Sequence, residues 1–172
     1  MATGNTNMAN CTASGFRLPT SMEWELAARY IGDKNGDGDI CDSGEYYPGS
    51  HVSGDATGPC YSTDLTSILQ VFGNYANNTG GWHEVAKTVP DALGLYDMSG
   101  NVMEWTEDCW NNNYEGAPVD GSAWTSGDCE QRVLRGGSWL NPPSIASATS
   151  RNVNGLTPRS WLYGFRPARM LP

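Results

Sequence analysis

The sequence predicts one loop-rich globular domain that contains one or two helices and several short strands. Its 172 residues are enough to enclose one hydrophobic core. With 21 Gly and 10 Pro, these two residue types make up about 18% of the chain, against roughly 12% in an average globular protein, which argues against a helix bundle. Seven Trp and eight Tyr are too many for a disordered chain.

The clearest helix start lies at Thr20. Thr20 and Glu23 have the spacing of a capping box, in which each side chain accepts a hydrogen bond from the backbone N–H of the other residue. Four residues at helical spacing follow and predict a buried stripe: Trp24, Ala27, Ala28 and Ile31. Gly32 is placed to end this helix.

Further elements are predicted later in the chain. Residues 64–72 place four apolar side chains on one side of a second, shorter helix: Leu65, Ile68, Leu69 and Phe72. From Ala92 onward, short apolar stretches alternate with glycine and asparagine, which is typical of short strands and turns. The strongest strand candidates are residues 132–135 and 163–166.

Residues 33–45 contain five carboxylates in thirteen positions. Aspartate and asparagine alternate as in an EF-hand-type calcium loop, in which alternate residues direct oxygen atoms at the ion and Gly38 allows the sharp turn. The closing acid falls one position late and no amphipathic helix follows it, so a solvated acidic loop is the alternative. The candidate ligands are Asp33, Asn35, Asp37, Asp39 and Glu45.

Charge is distributed unevenly along this chain, whose net charge is −9. All 19 acidic residues lie at or before Glu130, and the six basic residues after it are arginines. Because the acidic part would repel phosphates, we expect no nucleic-acid partner and expect these arginines to pair with the acidic part instead. No apolar stretch reaches the ~18 residues of a membrane span, and the polar first ten residues show no signal peptide.

The five cysteines predict disulfides rather than a zinc site. No two have CxxC spacing, and only two histidines are available as further ligands. Cys41 with Cys60, and Cys109 with Cys129, flank glycine-rich stretches and are the favoured pairs, with Cys11 left over. Such pairs are typical of an extracellular, cell-surface or virion-surface protein. The alternative is five reduced thiols in a cytosolic protein.

Four sequence motifs occur in a recognisable order. They are FRLPTSMEWELAAR at 16–29, ALGLYDMSGNVMEW at 92–105, RVLRGGSW at 132–139 and GFRPAR at 164–169. Together they resemble the formylglycine-generating enzyme (sulfatase-modifying factor) family. The resemblance spans about residues 16–170 and implies an α+β fold of the C-type lectin-like type. Because the sequence shows no repeat and no linker, we expect residues 1–172 to form a single domain.

The resemblance also implies a structural calcium ion in the turn before Trp105. The matching ligands would be the side chains of Asp97 and Glu104 and the carbonyls of Gly100 and Val102, which are hard oxygen donors. The alternative is that Asp97 and Glu104 cap turns and pair with arginines.

The catalytic residues of the family are not matched. Formylglycine-generating enzymes oxidise a substrate cysteine with two copper-binding cysteines after the GGS motif, and the matching positions here are Asn141 and Ala146. Neither side chain can bind copper or exchange disulfides. His51 and His83 are too few for the histidine-rich iron site of related enzymes. We therefore expect no catalysis and no catalytic cofactor, with a divergent sulfatase-modifying-type oxidoreductase as the alternative.

The same scaffold resembles the variable proteins of diversity-generating retroelements. In those systems a reverse transcriptase randomises adenine-containing codons between the GGSW and GFR motifs, and the variable residues form a ligand-binding surface. The matching region is 132–169, and its partner would be a protein or cell-surface ligand; an ordinary irregular loop or a structural surface module is the alternative. The candidate ligand-binding residues are Leu140, Asn141, Ser144, Ile145, Thr149, Asn152, Asn154, Ser160, Leu162 and Tyr163.

In this region we expect exposed side chains on a firmly held backbone. Trp139 and Phe165 are expected to be buried anchors, and Gly136, Gly137 and Gly164 to allow close backbone approach. Arg151, Arg159 and Arg166 are expected to pair with acids or carbonyls. The exposed apolar patch is expected to contain Leu140, Ile145, Leu162 and Tyr163.

Overall fold

A computed structural model describes residues 15–37, 45–46, 51 and 81–169 of the chain. Within them one α-helix and four strands follow in order: α1 Ser21–Arg29, β1 Met103–Trp110, β2 Asp128–Arg135, β3 Asn152–Gly155 and β4 Tyr163–Phe165. A 3₁₀ turn, Pro143–Ala146, lies between β2 and β3. The predicted helix 64–72 and the Cys41–Cys60 pair lie outside the described residues.

Helix α1 begins as predicted. The Thr20 hydroxyl accepts a hydrogen bond from the Glu23 N–H at 3.1 Å, and the Glu23 carboxylate accepts one from the Thr20 N–H at 2.8 Å. The helix ends at Arg29, so the predicted continuation through Ile31 to a stop at Gly32 is wrong. The Ile31 N–H donates instead to the Glu45 carbonyl at 2.8 Å. This pairing with a later part of the chain takes the backbone group that another helical turn would use.

Strand β1 lies inside the sheet, whose strand order is β3-β2-β1-β4. It pairs antiparallel with β2 and parallel with β4, while β2 pairs antiparallel with β3. The predicted strand at 132–135 is confirmed inside β2, and that at 163–166 is confirmed as β4, which stops one residue earlier. Side chains directly opposite one another point to the same face of a sheet. Trp105, Leu134 and Asn152 therefore share one face, and Val133 lies on the other.

A buried hydrophobic cluster packs around α1. Trp24 and Ala28 of α1 form a buried cluster with Met98 and Ala148. Trp24 is 1% exposed, so the largest side chain of the predicted stripe is a core residue. No helix in the described part of the chain is long and apolar enough to cross a membrane.

A buried arginine connects α1, β2 and the segment after the 3₁₀ turn. Arg135 is 1% exposed and donates to the Glu25 carboxylate at 2.6 Å. Its guanidinium also lies 5.5 Å from the centre of the Trp24 ring. It donates further hydrogen bonds to the carbonyls of Ser21, Ala148 and Ser150. The expected pairing of late arginines with the acidic part of the chain therefore holds for Arg135.

The close backbone approaches predicted at Gly136 and Gly137 are confirmed. A Cβ on Gly136 would lie 3.1 Å from the Met98 carbonyl oxygen, and one on Gly137, whose φ is +68°, 3.0 Å from the Ile145 carbonyl oxygen. At Gly164 the close neighbour is a side chain, that of Val102, at 2.8 Å. Phe165 is not a buried anchor, because its side chain is 70% exposed on the edge strand β4. Trp139 is only partly buried.

Candidate functional site

The sheet face that points away from α1 carries partly exposed aromatic and polar side chains around the buried Leu134. The rings of Trp105 and Tyr163 meet edge to face with their centres 5.6 Å apart. The Asn154 side-chain amide donates to the Tyr163 hydroxyl at 2.6 Å. Tyr163 thus links β4 at one edge of the sheet with β3 at the other. We call the partly exposed side chains of Trp105, Arg132, Asn152, Asn154 and Tyr163 the open face.

A depression of about 320 Å³ lies on the open face, within the range of volumes of ligand pockets. Arg132 contributes a cation there and Glu107 a carboxyl group. Burial raises the pKa of Glu107, and the nearby Arg17 partly offsets this. The complete lining consists of Leu18, Trp105, Thr106, Glu107, Arg132 and Leu156. The depression therefore offers a cation, a titratable carboxyl group and apolar walls to a ligand.

Three predicted ligand-binding residues come together on the open face: Asn152, Asn154 and Tyr163. Asn152 lies opposite Leu134, and Asn154 lies opposite Arg132. Since these pairs are two residues apart along both strands, their side chains point to the same face.

The other predicted residues lie elsewhere. Leu140 is 55% exposed, but the Asn141 side-chain oxygen accepts hydrogen bonds from the Ser138 N–H and hydroxyl at 2.8 and 2.7 Å and holds that turn. Thr149 lies on the opposite face, where it lines a cavity of about 430 Å³ beside α1. Ser144 and Ile145 belong to the 3₁₀ turn, and Ser160 and Leu162 to the turn before β4. The ten candidates therefore do not form one continuous surface.

Three large exposed apolar side chains were not among the candidates: Leu156 and Phe165 beside Trp105 of the open face, and Trp161 in the turn before β4. Leu156 is 57% exposed, Trp161 is 75% exposed and Phe165 is 70% exposed. Leu156 and Trp161 lie between the GGSW and GFR motifs, and Phe165 lies within GFR. Their place in the sequence could therefore have made them candidates. Phe165 was instead expected to be a buried anchor.

The carboxylates of the expected calcium turn are engaged by hydrogen-bond donors. Asp97 accepts from the Ala86 N–H at 2.9 Å and from the Thr88 hydroxyl at 3.0 Å, one bond to each oxygen. These contacts are those of a turn cap. Within the described ranges, no three Asp, Glu, His or Cys residues are grouped as metal ligands.

Glu104, the second expected calcium ligand, is 7% exposed. Its Oε1 accepts from Arg166 Nη2 at 2.7 Å, and its Oε2 accepts from the Trp24 indole N–H at 2.7 Å and from Arg166 Nε at 3.0 Å. A guanidinium on both oxygens competes with a cation. In the structure Asp97 caps a turn and Glu104 pairs with Arg166. Calcium at this turn stays a prediction.

The positions that match the two catalytic cysteines have structural surroundings. Asn141 holds Ser138, and Ala146 is 3% exposed against the backbone of Gly137. A copper ion or a substrate thiol would find no soft ligand on either side chain.

The disulfide predicted between Cys109 and Cys129 is confirmed. It links β1 to the start of β2, and the Arg132 guanidinium donates to the Cys129 carbonyl at 2.8 Å. Cys11, Cys41 and Cys60 lie outside the described residues.

A buried carboxyl group lies on the α1 side of β1. Asp108 accepts from the Ser21 N–H at 2.6 Å and from the Trp124 N–H at 3.1 Å. Burial raises the pKa of this group, and the two backbone N–H groups and Arg135 partly offset the shift. Asp108 is thus a structural link between α1 and the segment before β2.

The four motifs and the arrangement of the helix and sheet can be compared with known proteins. The family model described as sulfatase-modifying factor enzyme 1-like domain matches residues 4–171. The chain belongs to this family. This match confirms the family that the four sequence motifs indicated.

Members of the sulfatase-modifying factor family similar to this chain include both active and inactive proteins. The formylglycine-generating enzyme of Thermomonospora curvata is 30% identical over 141 residues, covering 79% of this chain and 42% of the enzyme. The inactive C-alpha-formylglycine-generating enzyme 2 of Bos taurus is 31% identical over 174 residues, covering 95% of this chain and 47% of that protein. The chain thus spans less than half the length of these relatives.

A solved structure in the comparison supports the C-type lectin-like α+β fold of this family member. Variable protein 1 of Treponema denticola matches with a TM-score of 0.67 and 33% sequence identity. The match covers 91% of this chain and 48% of that protein. This chain therefore shares its fold with that variable protein.

Proposed function

We propose that this chain is a non-catalytic protein that binds a protein or cell-surface ligand with its open face. The observation that carries the proposal is the contact of Asn154 with Tyr163 and of Tyr163 with Trp105. It brings side chains from both edges of the sheet together on the exposed face. Aromatic groups with adaptable amide groups are typical of protein-binding surfaces.

The opposite face explains how this surface can be held firmly. Val133 is 1% exposed and Arg135 is fixed by Glu25 and three carbonyls, so β2 is anchored from the α1 side. A backbone fixed from behind lowers the entropy lost when side chains in front bind a ligand.

Three observations support the absence of catalysis in this proposal. Asn141 and Ala146 occupy the positions that match the copper-binding cysteines, and no cysteine follows Cys129 in the sequence. The Bos taurus relative that is named as inactive is as similar to this chain, at 31% identity, as the active enzyme is, at 30%. The alternative is a divergent sulfatase-modifying oxidoreductase.

An oxidation assay separates these two functions. A cysteine-containing sulfatase peptide is incubated with the protein and copper, with the Thermomonospora curvata enzyme as positive control. We expect no formylglycine above the level without protein. Turnover by this chain, absent from a heat-denatured sample, would refute the proposal.

Region 132–169 is further proposed to be diversified by a retroelement. The support is the interval between the GGSW and GFR motifs and the similarity to a variable protein of Treponema denticola. The test is the flanking DNA: a reverse transcriptase gene and a template repeat that differs from codons 139–166 only at adenines are expected. A template repeat that varies at other bases would contradict this origin.

We also propose that the protein works at an extracellular, cell or virion surface. The Cys109–Cys129 disulfide supports this, because such bonds persist in oxidising compartments. Alkylation of the native protein before and after reduction should reveal two additional reactive thiols per disulfide. Thiols at 109 and 129 that react without reduction would contradict the proposed location.

A further inference from the structure

The cavity beside α1 is separate from the open face. Its volume of about 430 Å³ lies within the range of pockets that hold small molecules. Among the described residues, it shares no lining side chain with the depression on the open face. It is therefore a second candidate site, which the proposed binding of a protein or cell-surface ligand does not use.

The walls of this cavity are largely apolar. Met22 and Leu26 lie one turn apart on α1 and are both exposed. The exposed ring of Tyr114 and the buried side chains of Trp124 and Val133 also line the cavity. Exposed apolar side chains around a concavity favour a ligand whose apolar part removes them from water.

Both carboxylates at the cavity are engaged by donors of the protein itself. Glu25 accepts from Arg29 at 3.0 Å and from Arg135 at 2.6 Å, one bond to each oxygen. Asp108 accepts a backbone N–H with each of its oxygens. Neither carboxylate therefore presents an oxygen without a donor to a cationic ligand.

Arg151 contributes a third guanidinium to the cavity, so its lining carries more positive than negative groups. This guanidinium lies 4.1 Å from the centre of the Tyr114 ring and 4.9 Å from that of the Trp110 ring. It has no ion pair or hydrogen bond within the part of the chain that the structure describes. The expected pairing of Arg151 with an acid or a carbonyl is therefore not found there.

We propose that this cavity binds a small aromatic carboxylate. The carboxylate would pair with Arg151, whose planar guanidinium presents N–H groups that match two carboxylate oxygens. The ring would pack against Met22, Leu26 and Tyr114, because thioether and aromatic groups make favourable contacts with aromatic rings.

Three probes with the same pair of fused rings test the preference for a carboxylate. They are 2-naphthoate, which is negative, 2-naphthamide, which is neutral, and 2-naphthylmethylammonium, which is positive. We expect naphthoate to bind about tenfold more tightly than naphthamide, because its hydrogen bonds with Arg151 are charge-assisted. The ammonium should bind most weakly.

Proton–nitrogen correlation NMR of the full chain measures these affinities and locates the site. Saturable shifts are expected at the backbone amides of α1 and at the indole N–H of Trp124. The indole N–H of Trp105, which lies on the open face, should not shift. Shifts confined to the open face would overturn the proposal and leave the proposed function untouched.

Matched variants separate the cation from the apolar wall. Arg151→Gln should lower the affinity for naphthoate about tenfold, to the level of naphthamide, and leave that of naphthamide unchanged. Arg159→Gln removes the same charge from an exposed arginine outside the cavity lining and should change neither affinity.

Leu26→Ala shortens an exposed wall residue, so it should fold and weaken binding of all three probes by a similar factor of about three to five. It decides the outcome together with the wild-type probe series if Arg151→Gln fails to fold. The proposal is overturned by an absence of saturable naphthoate binding or by equal affinities for naphthoate and naphthamide. An undiminished preference for naphthoate in folded Arg151→Gln, or wild-type affinities in Leu26→Ala, would overturn it as well.

Discussion

At the scale of single residues, Glu104 joins three of the four sequence motifs. Its carboxylate accepts from Trp24 of the first motif and from Arg166 of the last, and Glu104 itself belongs to the second. Arg166 also donates to the Tyr96 carbonyl at 2.8 Å. The motif residues are therefore partly explained by folding alone, independently of any catalytic role.

Replacing Glu104 by Gln should lower the free energy of unfolding by about 2–3 kcal/mol. The substitution leaves the Arg166 guanidinium without its ionic partner, but Arg166 is partly exposed, so the loss falls below that of a fully buried pair. Urea unfolding measures the change, with Glu84→Gln as control, because the Glu84–Lys87 pair is exposed and contributes less than about 1 kcal/mol.

The same experiment with excess chelator distinguishes ion pairing from calcium at this turn. If Arg166 is the partner of Glu104, as the contacts indicate, chelation should leave the difference between wild type and Glu104→Gln unchanged. A chelated wild type with the stability of the variant would show that calcium holds Glu104.

Asp108 should make stability depend on pH. Because burial raises its pKa, the folded chain binds more protons than the unfolded chain, and this contribution to stability falls as pH rises from the unfolded value, about 3.9, through the raised folded value. Asp108→Asn should make this decline shallower in urea unfolding across that window. Asp120→Asn is the control, since a hydrogen bond from Ser122 lowers the pKa of exposed Asp120 and gives the opposite sign; an unchanged slope in Asp108→Asn would contradict the assignment.

At the scale of elements, the sequence predicts features that depend on neighbouring residues better than features that depend on pairing with distant residues. The start of α1 was predictable because Thr20 and Glu23 complete each other's hydrogen bonds within one turn. Its end was not, because the pairing of Tyr30 and Ile31 with residues 45–46 is decided by a distant part of the chain. The strand at 132–135 was predictable, but its longer extent in β2 depends on pairing with β1 and β3.

The turn after β2 should be intolerant of side chains at Gly137. Gly137→Ala adds a Cβ at 3.0 Å from the Ile145 carbonyl oxygen to an already left-handed backbone, and we expect a loss of about 2–3 kcal/mol. Gly116→Ala is the matched control: its φ is +77° with nothing within 4 Å of the new Cβ, so only the backbone strain of about 1 kcal/mol should remain. Equal losses in thermal or urea unfolding would show that the close approach contributes nothing.

At the scale of the whole molecule, the sheet separates structural from exposed side chains within a single stretch of sequence. Val153 and Asn154 are adjacent in β3 and point to opposite faces. The sequence of this region therefore could not show which residues share a face. Asn154 contacts Tyr163 on one face, whereas Thr149 lies beside α1 on the other. The strand order β3-β2-β1-β4, which decides this, arises from long-range pairing.

If exposed side chains on and near the sheet bind ligands while the scaffold stays fixed, these positions should accept many substitutions without unfolding of the protein. A library that randomises Asn152, Asn154, Leu156, Trp161 and Phe165 should give mostly folded proteins, because these side chains are partly or well exposed and such changes usually alter stability by less than about 0.5 kcal/mol each.

The matched control library randomises four buried residues, Trp24, Ala28, Met98 and Ala148, and should give few folded members, because truncation or overpacking of a core costs several kcal/mol. Yeast display with a conformation-dependent protease challenge measures the folded fraction of both libraries. Selection of the first library against hen egg lysozyme, an arbitrary protein target, should then yield binders whose sequences converge at these positions. Equal loss of folding in the two libraries would show that the residues randomised in the first library belong to the core. A folded first library that yields no binders would favour a structural surface module.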